Sequence, residues 1–214
     1  MQSSSEVTRT AMLLIAWAFL TVGAQAQDAW GLPDFSATQI SQVPASVPQM
    51  GPLRIYKSGM RYRTERDPGQ AVIWLPASDK VYNLLQNGAT CMELPLKDAP
   101  LMSSPLQLPA DTKIERKVVG NETMEGHPCT VEEVTLTAPD GKTMQAKVWA
   151  ATDLKGFPVK IEAIGSPTFV FRDIKLETPD WAVFQPPSKC PSLEKIKPKT
   201  LPQHPPTPSP PANK

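Results

Sequence analysis

Three runs in the second half of the sequence decide the fold: TMQAKVWAA at residues 143–151, VKIEAI at 159–164 and TFVFRDIKL at 168–176. Apolar and polar side chains alternate along the first two runs, and glycine, proline or aspartate separates each run from the next. A period of two predicts strands with one apolar face and one solvated face. Together with residues 130–136, these runs predict a meander of antiparallel strands.

The first half of the sequence has the same character. Asp67-Pro68-Gly69 and Asn87-Gly88 are strong turn signals, because proline fixes φ and glycine accepts a positive φ. Between such turns we predict strands at residues 34–40, 53–57, 60–66, 70–75, 80–85 and 90–94. The chain is therefore predicted to be mainly β.

The segment between the two sets of strands differs in composition. Prolines alternate with leucines in residues 95–109, and residues 110–119 are predicted to form one short helix with Asp111 as its N-cap. A proline-broken apolar segment in this place either covers the open side of a curved sheet or connects the strands over the surface.

The N-terminus has the features of a secretory signal peptide. Arg9 precedes an apolar core at residues 11–24, and Ala24-Gln25-Ala26 supplies a small-x-small cleavage pattern. We predict a signal peptide at residues 1–26 and a linker at 27–33; an uncleaved membrane anchor is the alternative. The residue directly after the cleavage site is Gln27 rather than a cysteine, so a lipid anchor is not indicated, and the protein is predicted to be periplasmic or secreted.

The C-terminus differs again from the strands. Residues 189–214 are rich in proline and lysine and contain no aromatic residue. Such a composition cannot bury a core and favours an extended, disordered tail. We interpret this tail as a passive spacer, with a ligand for a proline-binding partner as the alternative, and place the folded domain at residues 34–188.

Charge and motifs argue against several classes of function. The net charge of +1 provides no strong field for nucleic acid or for an anionic membrane. The two histidines, His127 and His204, belong to no recognisable catalytic or metal-binding motif, and Glu132 and Glu133 point to opposite faces of a strand. We therefore predict a protein that is not an enzyme and uses no metal or cofactor.

Three cysteines lie after the predicted cleavage site, at Cys91, Cys129 and Cys190. An exported protein is expected to form a disulfide, and an odd count leaves one thiol over. Cys91 and Cys129 lie in strands that flank the segment 95–119, so we expect them to be neighbours and favour their pairing. Cys129 with Cys190 is the alternative pair.

The remaining signal is apolar surface on the predicted strands. A curved sheet of this size either fills its interior with side chains or holds an apolar ligand. The predicted ligand-binding residues are Ile73, Leu75, Leu84, Met92, Met144, Val148, Phe169 and Phe171.

The order of these features resembles a known family. The residues that carry the resemblance are Phe35, Gly59-Met60-Arg61-Tyr62-Arg63, Val81-Tyr82-Asn83-Leu84, Gly120-Asn121-Glu122-Thr123, Gly126-His127-Pro128-Cys129, Gly156-Phe157-Pro158-Val159-Lys160 and the terminator at residues 179–187. In this order they resemble the LolA/LolB-like superfamily of periplasmic lipoprotein carriers, and most closely its exported members of unassigned function.

The resemblance implies a mainly β fold, an unclosed antiparallel half-barrel with a short helix or loop lid over its concave face. In the carriers this cavity takes lipid acyl chains and an arginine helps to hold the lid, a role for which Arg61 and Arg63 are the nearest residues here. The implied function is non-catalytic binding of a lipid or another hydrophobic ligand. The alternative is a structural or protein-interaction module of the cell envelope with a filled interior, whose envelope partner the sequence does not identify.

The cleavage pattern gives the first testable prediction. We expect the exported protein to begin at Gln27, because Ala24-Gln25-Ala26 fits the specificity of signal peptidases for small side chains. Intact mass and N-terminal sequencing of protein recovered from outside the cytoplasm measure this directly. An exported protein that retains Met1 would contradict the prediction.

Overall fold

A computed structural model of the chain describes residues 30–44, 46, 48–98, 104–108 and 111–192. The predicted signal peptide, residues 27–29 of the predicted linker and residues 193–214 of the predicted tail lie outside these residues. Cleavage at Gln27 and the disorder of the tail therefore stay predictions.

In the described residues, eleven strands form one antiparallel sheet that does not close. They are β1 Phe35–Gln42, β2 Leu53–Ser58, β3 Arg61–Arg66, β4 Gln70–Leu75, β5 Lys80–Leu85, β6 Thr90–Pro95, β7 Lys113–Met124, β8 His127–Thr137, β9 Thr143–Ala151, β10 Phe157–Ala163 and β11 Thr168–Lys175. The predicted mainly β, unclosed half-barrel is confirmed. Short 3₁₀ turns lie at Pro76–Ser78, Gln86–Gly88, Leu96–Asp98 and Trp181–Phe184. None of the helical turns in the described residues has the length or apolar character to cross a membrane.

Two meanders lie side by side in this sheet. Strands β1 to β6 form one and β7 to β11 form the other, and the pairing of β1 with β11 joins them, with Ile40 opposite Val170. The spatial order is β6-β5-β4-β3-β2-β1-β11-β10-β9-β8-β7. Strands β6 and β7 are consecutive in the chain. In the sheet, however, they form the two opposite edges.

The predicted helix at residues 110–119 is wrong, because this stretch begins β7. Strand β7 pairs with β8 from Lys113 opposite Thr137 to Met124 opposite His127. Ile114 and Val118 are four residues apart, as in a helix, but Ile114, Val118 and Val119 are β-branched and favour a strand, which the ladder with β8 provides. Asp111 has φ of 66°, in the left-handed region, which differs from the extended backbone of an N-cap.

Residues 96–112, which we call the crossover segment, connect one edge of the sheet to the other. Leu106 is fully buried in the main apolar core, and Leu96 and Leu108 pack against that core. The segment therefore covers one face of the sheet, which we call the covered face. The predicted lid is confirmed, and in the described residues it is a loop.

Side chains fill most of the space beneath the crossover segment. Phe157 packs edge-to-face against Phe35 and Phe171, with ring centroids 4.9 and 6.0 Å apart. Ile55, Val81, Val134 and Val148 belong to the same buried cluster. The interior of the half-barrel is thus largely a packed core.

The opposite face, which we call the outer face, is covered over β3 to β6 by residues 176–192, the C-terminal strap. Phe184 of the strap is buried, and the carbonyl of Val183 accepts a hydrogen bond from Arg63 at 2.9 Å. Residues 191 and 192 then run beside β6, where Glu93 N donates to Pro191 O and Glu93 pairs with Ser192. The attached part of the chain thus reaches Ser192, beyond residue 188.

Asp34 connects the start of β1 to the strap. Its carboxylate accepts hydrogen bonds from Gly59 N at 2.7 Å and from the Thr178 hydroxyl at 2.9 Å. Partial burial opposes ionisation, but these hydrogen bonds, one from Ser58 and the charge of Lys57 together lower the pKa of Asp34. The ionised carboxylate therefore stabilises this junction.

The disulfide joins Cys91 and Cys190, which corrects both predicted pairings. The expectation that Cys91 and Cys129 are neighbours fails because β6 is one edge of the sheet, whereas β8 lies next to the opposite edge. Cys129 is a buried free thiol. Cys190 reaches Cys91 because the C-terminal strap ends against β6.

An apolar cluster on the outer face of the second meander lies under the turn between β7 and β8. It contains Val131, Trp149 and Val159. Glu125 in this turn accepts two hydrogen bonds from Arg172 on β11, at 2.8 and 3.2 Å, and the interaction raises the pKa of Arg172. The hairpin therefore closes over the outer face of the second meander.

The strap gives a prediction about stability. Cys190→Ser should lower the free energy of unfolding by about 2–4 kcal/mol, because the disulfide closes a loop across 99 residues of sequence. Urea unfolding with and without reductant measures the loss, and reductant should have no further effect on the variant. Cys129→Ser is the control and should keep the response to reductant; equal stability of oxidised wild type and Cys190→Ser would contradict the prediction.

Candidate binding cleft

A cleft of about 290 Å³ lies between the crossover segment and the second meander. This volume is at the lower end of the range for small-molecule sites in proteins. The lining residues are Trp30, Ser104, Pro105, Gln107, Leu108, Leu136, Met144, Ala146, Ile161, Ala163, Ser166 and Phe169. The cleft is the part of the covered face that the core leaves unfilled.

Two alanines on neighbouring strands form part of the floor of the cleft. Ala146 on β9 lies opposite Ala163 on β10, and Leu136 on β8 lies opposite Met144 on β9. Paired residues of antiparallel strands point to the same face, so small side chains at paired positions leave a depression. The alanine pair leaves room, and the larger neighbours form the walls.

A tight turn in the crossover segment forms the opposite wall. Gln107 N donates to Ser104 O at 3.1 Å, and Leu106 N donates to the Ser104 hydroxyl at 3.3 Å. The buried Leu106 side chain anchors this turn in the core. Trp30, from the segment before β1, donates from Nε1 to Pro105 O at 2.9 Å and so connects the turn to the N-terminal segment.

Arg116 on the edge strand β7 holds Trp30 from the side. Its guanidinium carbon lies 5.2 Å from the centre of the Trp30 ring, within the range of a cation–π contact. The same guanidinium forms an ion pair with Glu132 at 3.2 Å. Arg116 therefore joins the edge of the sheet to the wall of the cleft.

The Gln107 side chain is a buried polar group in the wall of the cleft. Its side-chain amide nitrogen and oxygen are both buried, the residue is only 7% exposed, and neither atom has a hydrogen-bond partner among the described residues. A buried polar group without a partner costs about 1–3 kcal/mol. An apolar residue of similar size would avoid this cost.

The described lining of the cleft contains no charged side chain. An ionised group without a partner is costly to place in such surroundings, whereas apolar groups are favoured there. The cleft is therefore suited chemically to neutral and mainly apolar molecules.

The predicted ligand-binding residues of the second meander lie at or beneath this cleft. Met144 and Phe169 line it. Val148 and Phe171 are buried in the core of the covered face. All four side chains lie on the same face of the sheet, as strand alternation predicts. Only the tertiary packing shows which of them line the cleft and which lie in the core beneath it.

The structure does not bring the predicted residues of the first meander to the cleft. Ile73, Leu84 and Leu75 belong to or pack against a cluster on the outer face, together with Cys91 and Cys190. Gln70–Leu75 is apolar on both sides, so the sequence could not show which side faces the crossover segment. Met92 is 36% exposed on the edge strand β6, at the other end of the sheet.

Arg61 and Arg63, the arginines expected near the lid, lie on the outer face. The guanidinium carbon of Arg61 lies 4.2 Å from the centre of the Trp181 ring, and Arg63 forms an ion pair with Glu65 at 2.7 Å. Both arginines contact the C-terminal strap rather than the crossover segment. Arg116 is the arginine that contacts the wall of the cleft.

Sequence reasoning missed Trp30, Gln107 and Arg116 as residues of this site. Trp30 and the buried Leu32 fall in the predicted loose linker, although two apolar residues directly before a strand are a signal of packing. Because residues 110–119 were predicted to be a helix, the sequence did not show that Arg116 lies on an edge strand. No sequence signal separates Gln107 from an ordinary surface glutamine.

Reactive groups outside the cleft do not assemble a catalytic device in the described chain. His127 Nδ1 and Asp153 lie 2.8 Å apart, but the Cys129 thiol donates to the main-chain carbonyl of His127 at 3.3 Å rather than to its ring. Burial raises the pKa of Cys129, which favours the protonated, less nucleophilic thiol. Within the described residues, no group of three or more His, Cys, Asp and Glu side chains is arranged to hold a metal ion.

Comparison of the fold with solved structures finds weak but extended similarities. A crystal structure of MucB is 16% identical, with a TM-score of 0.49 over 77% of this chain and 61% of that chain, so this chain spans about three-fifths of MucB. A LolA superfamily protein from Nitrosomonas europaea is 12% identical, with a TM-score of 0.37 over 75% and 93% of the two chains. An outer-membrane lipoprotein-sorting protein domain from Vibrio parahaemolyticus is 14% identical, with a TM-score of 0.33 over 74% and 91%.

The similar structures thus include members of the LolA superfamily, the family that the sequence was found to resemble. No protein-family model matches the chain, and no curated protein matches it in sequence.

The anchoring of the crossover segment can be tested directly. Leu106→Ala should lower the free energy of unfolding by about 2–4 kcal/mol, because it leaves a cavity in the core where a fully buried side chain was removed. Leu85→Ala is the matched control at an exposed position and should cost less than about 1 kcal/mol. Similar losses for both variants in urea unfolding would show that Leu106 is not an anchor.

Proposed function

We propose that this protein is an exported cell-envelope protein that binds one apolar chain or a similarly slender hydrophobic molecule in the cleft, without catalysis. The observation that carries the proposal is the cleft itself, an unfilled apolar depression between Ala146, Ala163 and the anchored crossover segment. Each methylene group moved there from water would contribute roughly 0.8 kcal/mol.

The size of the cleft limits what it takes. At about 290 Å³ it is smaller than a typical site for a drug-sized molecule, and a phenylalanine core fills the space beneath it. This favours a single chain, or the end of one, over a bulky molecule with several chains. The neutral lining further favours a ligand whose inserted part carries no charge.

Export is supported by two independent features. The Cys91–Cys190 disulfide suits an oxidising compartment, where such bonds form and persist. The predicted signal peptide at residues 1–26 agrees with that environment. A periplasmic or secreted location therefore belongs to the proposal.

A second candidate function rests on a different feature, the open edge at β7. Val118 and Val119 are exposed on this strand, and β7 pairs with β8 on one side only among the described residues. An exposed strand edge can accept a strand from another chain. The alternative is thus a protein-interaction module of the envelope, with the proline-rich tail as a spacer.

The binding proposal is tested with the neutral fluorophore N-phenyl-1-naphthylamine. Wild type should bind it saturably, and Met144→Glu should weaken binding at least about tenfold, because the new carboxylate enters an apolar wall. Met92→Glu is the matched control, since Met92 is 36% exposed and Met144 is 38% exposed. The control should stay within about twofold of wild type.

Urea unfolding of the same variants shows whether they are folded under the conditions of the assay. Absence of saturable binding to folded wild type would defeat the proposal and favour the interaction module. Equal weakening by the two glutamates would place the bound probe somewhere other than the cleft.

A further inference from the structure

We infer that Gln107 recognises a neutral polar group at the end of the apolar ligand, one that offers both a hydrogen-bond donor and an acceptor, as an amide does. This inference rests on the proposed function and adds the chemical class of the ligand's polar end. Its basis is the pairing of an apolar cleft with one buried, unpartnered carboxamide in its wall.

The state of the Gln107 side chain is the first step. Both amide atoms are buried with no hydrogen-bond partner in the described part of the chain, and the residue lines the cleft. Buried polar groups in proteins are nearly always paired, so an amide with neither atom paired calls for a partner. A ligand bound in the cleft would lie next to Gln107 and could supply this partner.

The chemistry of a carboxamide decides which polar group fits. Its nitrogen donates and its oxygen accepts, so full pairing requires a group that accepts and donates side by side. An amide provides this combination. An ionised carboxylate only accepts, and it would leave the oxygen of Gln107 unpaired.

The electrostatics of the cleft point the same way. The described lining residues include no lysine, arginine or histidine, so a carboxylate placed there would have no cationic partner in the wall. Arg116 lies beside Trp30 but is already paired with Glu132 at 3.2 Å. An uncharged polar group avoids this desolvation cost.

The position of Gln107 also places the polar group. Gln107 belongs to the turn of the crossover segment, which Ser104 and Leu106 fix, and it faces a cleft whose floor and far walls are apolar. The ligand would therefore lie with its chain over Ala146 and Ala163 and its polar end against the crossover segment.

The experiment compares decanamide with decanoate as competitors of N-phenyl-1-naphthylamine at neutral pH. Wild type should bind decanamide at least about fivefold more tightly than decanoate, since the amide forms one more hydrogen bond with Gln107 and brings no charge into the neutral cleft. Gln107→Leu should reduce this preference at least about threefold, leaving the part that comes from the charge of decanoate, and the preference is taken as the ratio of the two competitor affinities so that any change in fluorophore affinity cancels. Gln70→Leu, at an exposed position on β4, is the matched control and should keep the preference.

Stability separates recognition from a structural role. Without ligand, Gln107→Leu should be at least as stable in urea as wild type, because it removes an unpaired buried amide. Should Gln107→Leu fail to fold, Gln107→Met, which is apolar and equally long, takes its place in every comparison.

The outcomes divide clearly. Equal binding of decanamide and decanoate to a wild type that binds the fluorophore overturns this inference and leaves the apolar cleft standing. A preference for decanamide that is undiminished in Gln107→Leu also overturns it. If wild type binds neither the fluorophore nor the two competitors, the proposed function fails and the inference fails with it.

Discussion

The passage of the chain from β6 to β7 is the constraint on which the rest of the structure depends. The two strands are opposite edges of an 11-stranded sheet, so ten inter-strand spacings of about 4.8 Å would separate them by about 48 Å if the sheet were flat. The 17 residues of 96–112 reach at most about 60 Å when fully extended. They contain a 3₁₀ turn and a second turn that sends Leu106 into the core. These turns shorten the reach of the segment, and curvature of the sheet compensates by bringing the two edges closer together.

Curvature and packing together leave a narrow cleft rather than an open cavity. The crossover segment is pulled onto the sheet by Leu106, and Phe35, Phe157 and Phe171 fill the space below it. Only where Ala146 meets Ala163 does the floor stay low. A ligand bound as proposed would therefore lie over these two alanines and beside the buried amide of Gln107.

Two separate segments cover the outer face. The C-terminal strap covers the first meander, and the Cys91–Cys190 disulfide and the pairing of Ser192 protect the β6 edge. The turn between β7 and β8 covers the second meander through the Glu125–Arg172 pair. The β7 edge has no such cover among the described residues. Charged side chains such as Lys113, Glu115 and Lys117 on this strand are a common defence of open edges.

The sequence by itself determined every strand except β7, the turns between them, the buried faces of β8 to β11, and the need for a covering segment between the two meanders. These features depend on local alternation and on turn residues, which act over a few positions. The disulfide, the role of Arg116 and the place of Gln107 depend on which strands become edges, and on where a 17-residue connection then lies. Gln70–Leu75 is apolar on both sides, so its buried faces could be told apart only after the strap and the crossover segment had taken opposite sides of the sheet. Only the tertiary structure decided these, because long-range pairing leaves no mark in the spacing of neighbouring residues.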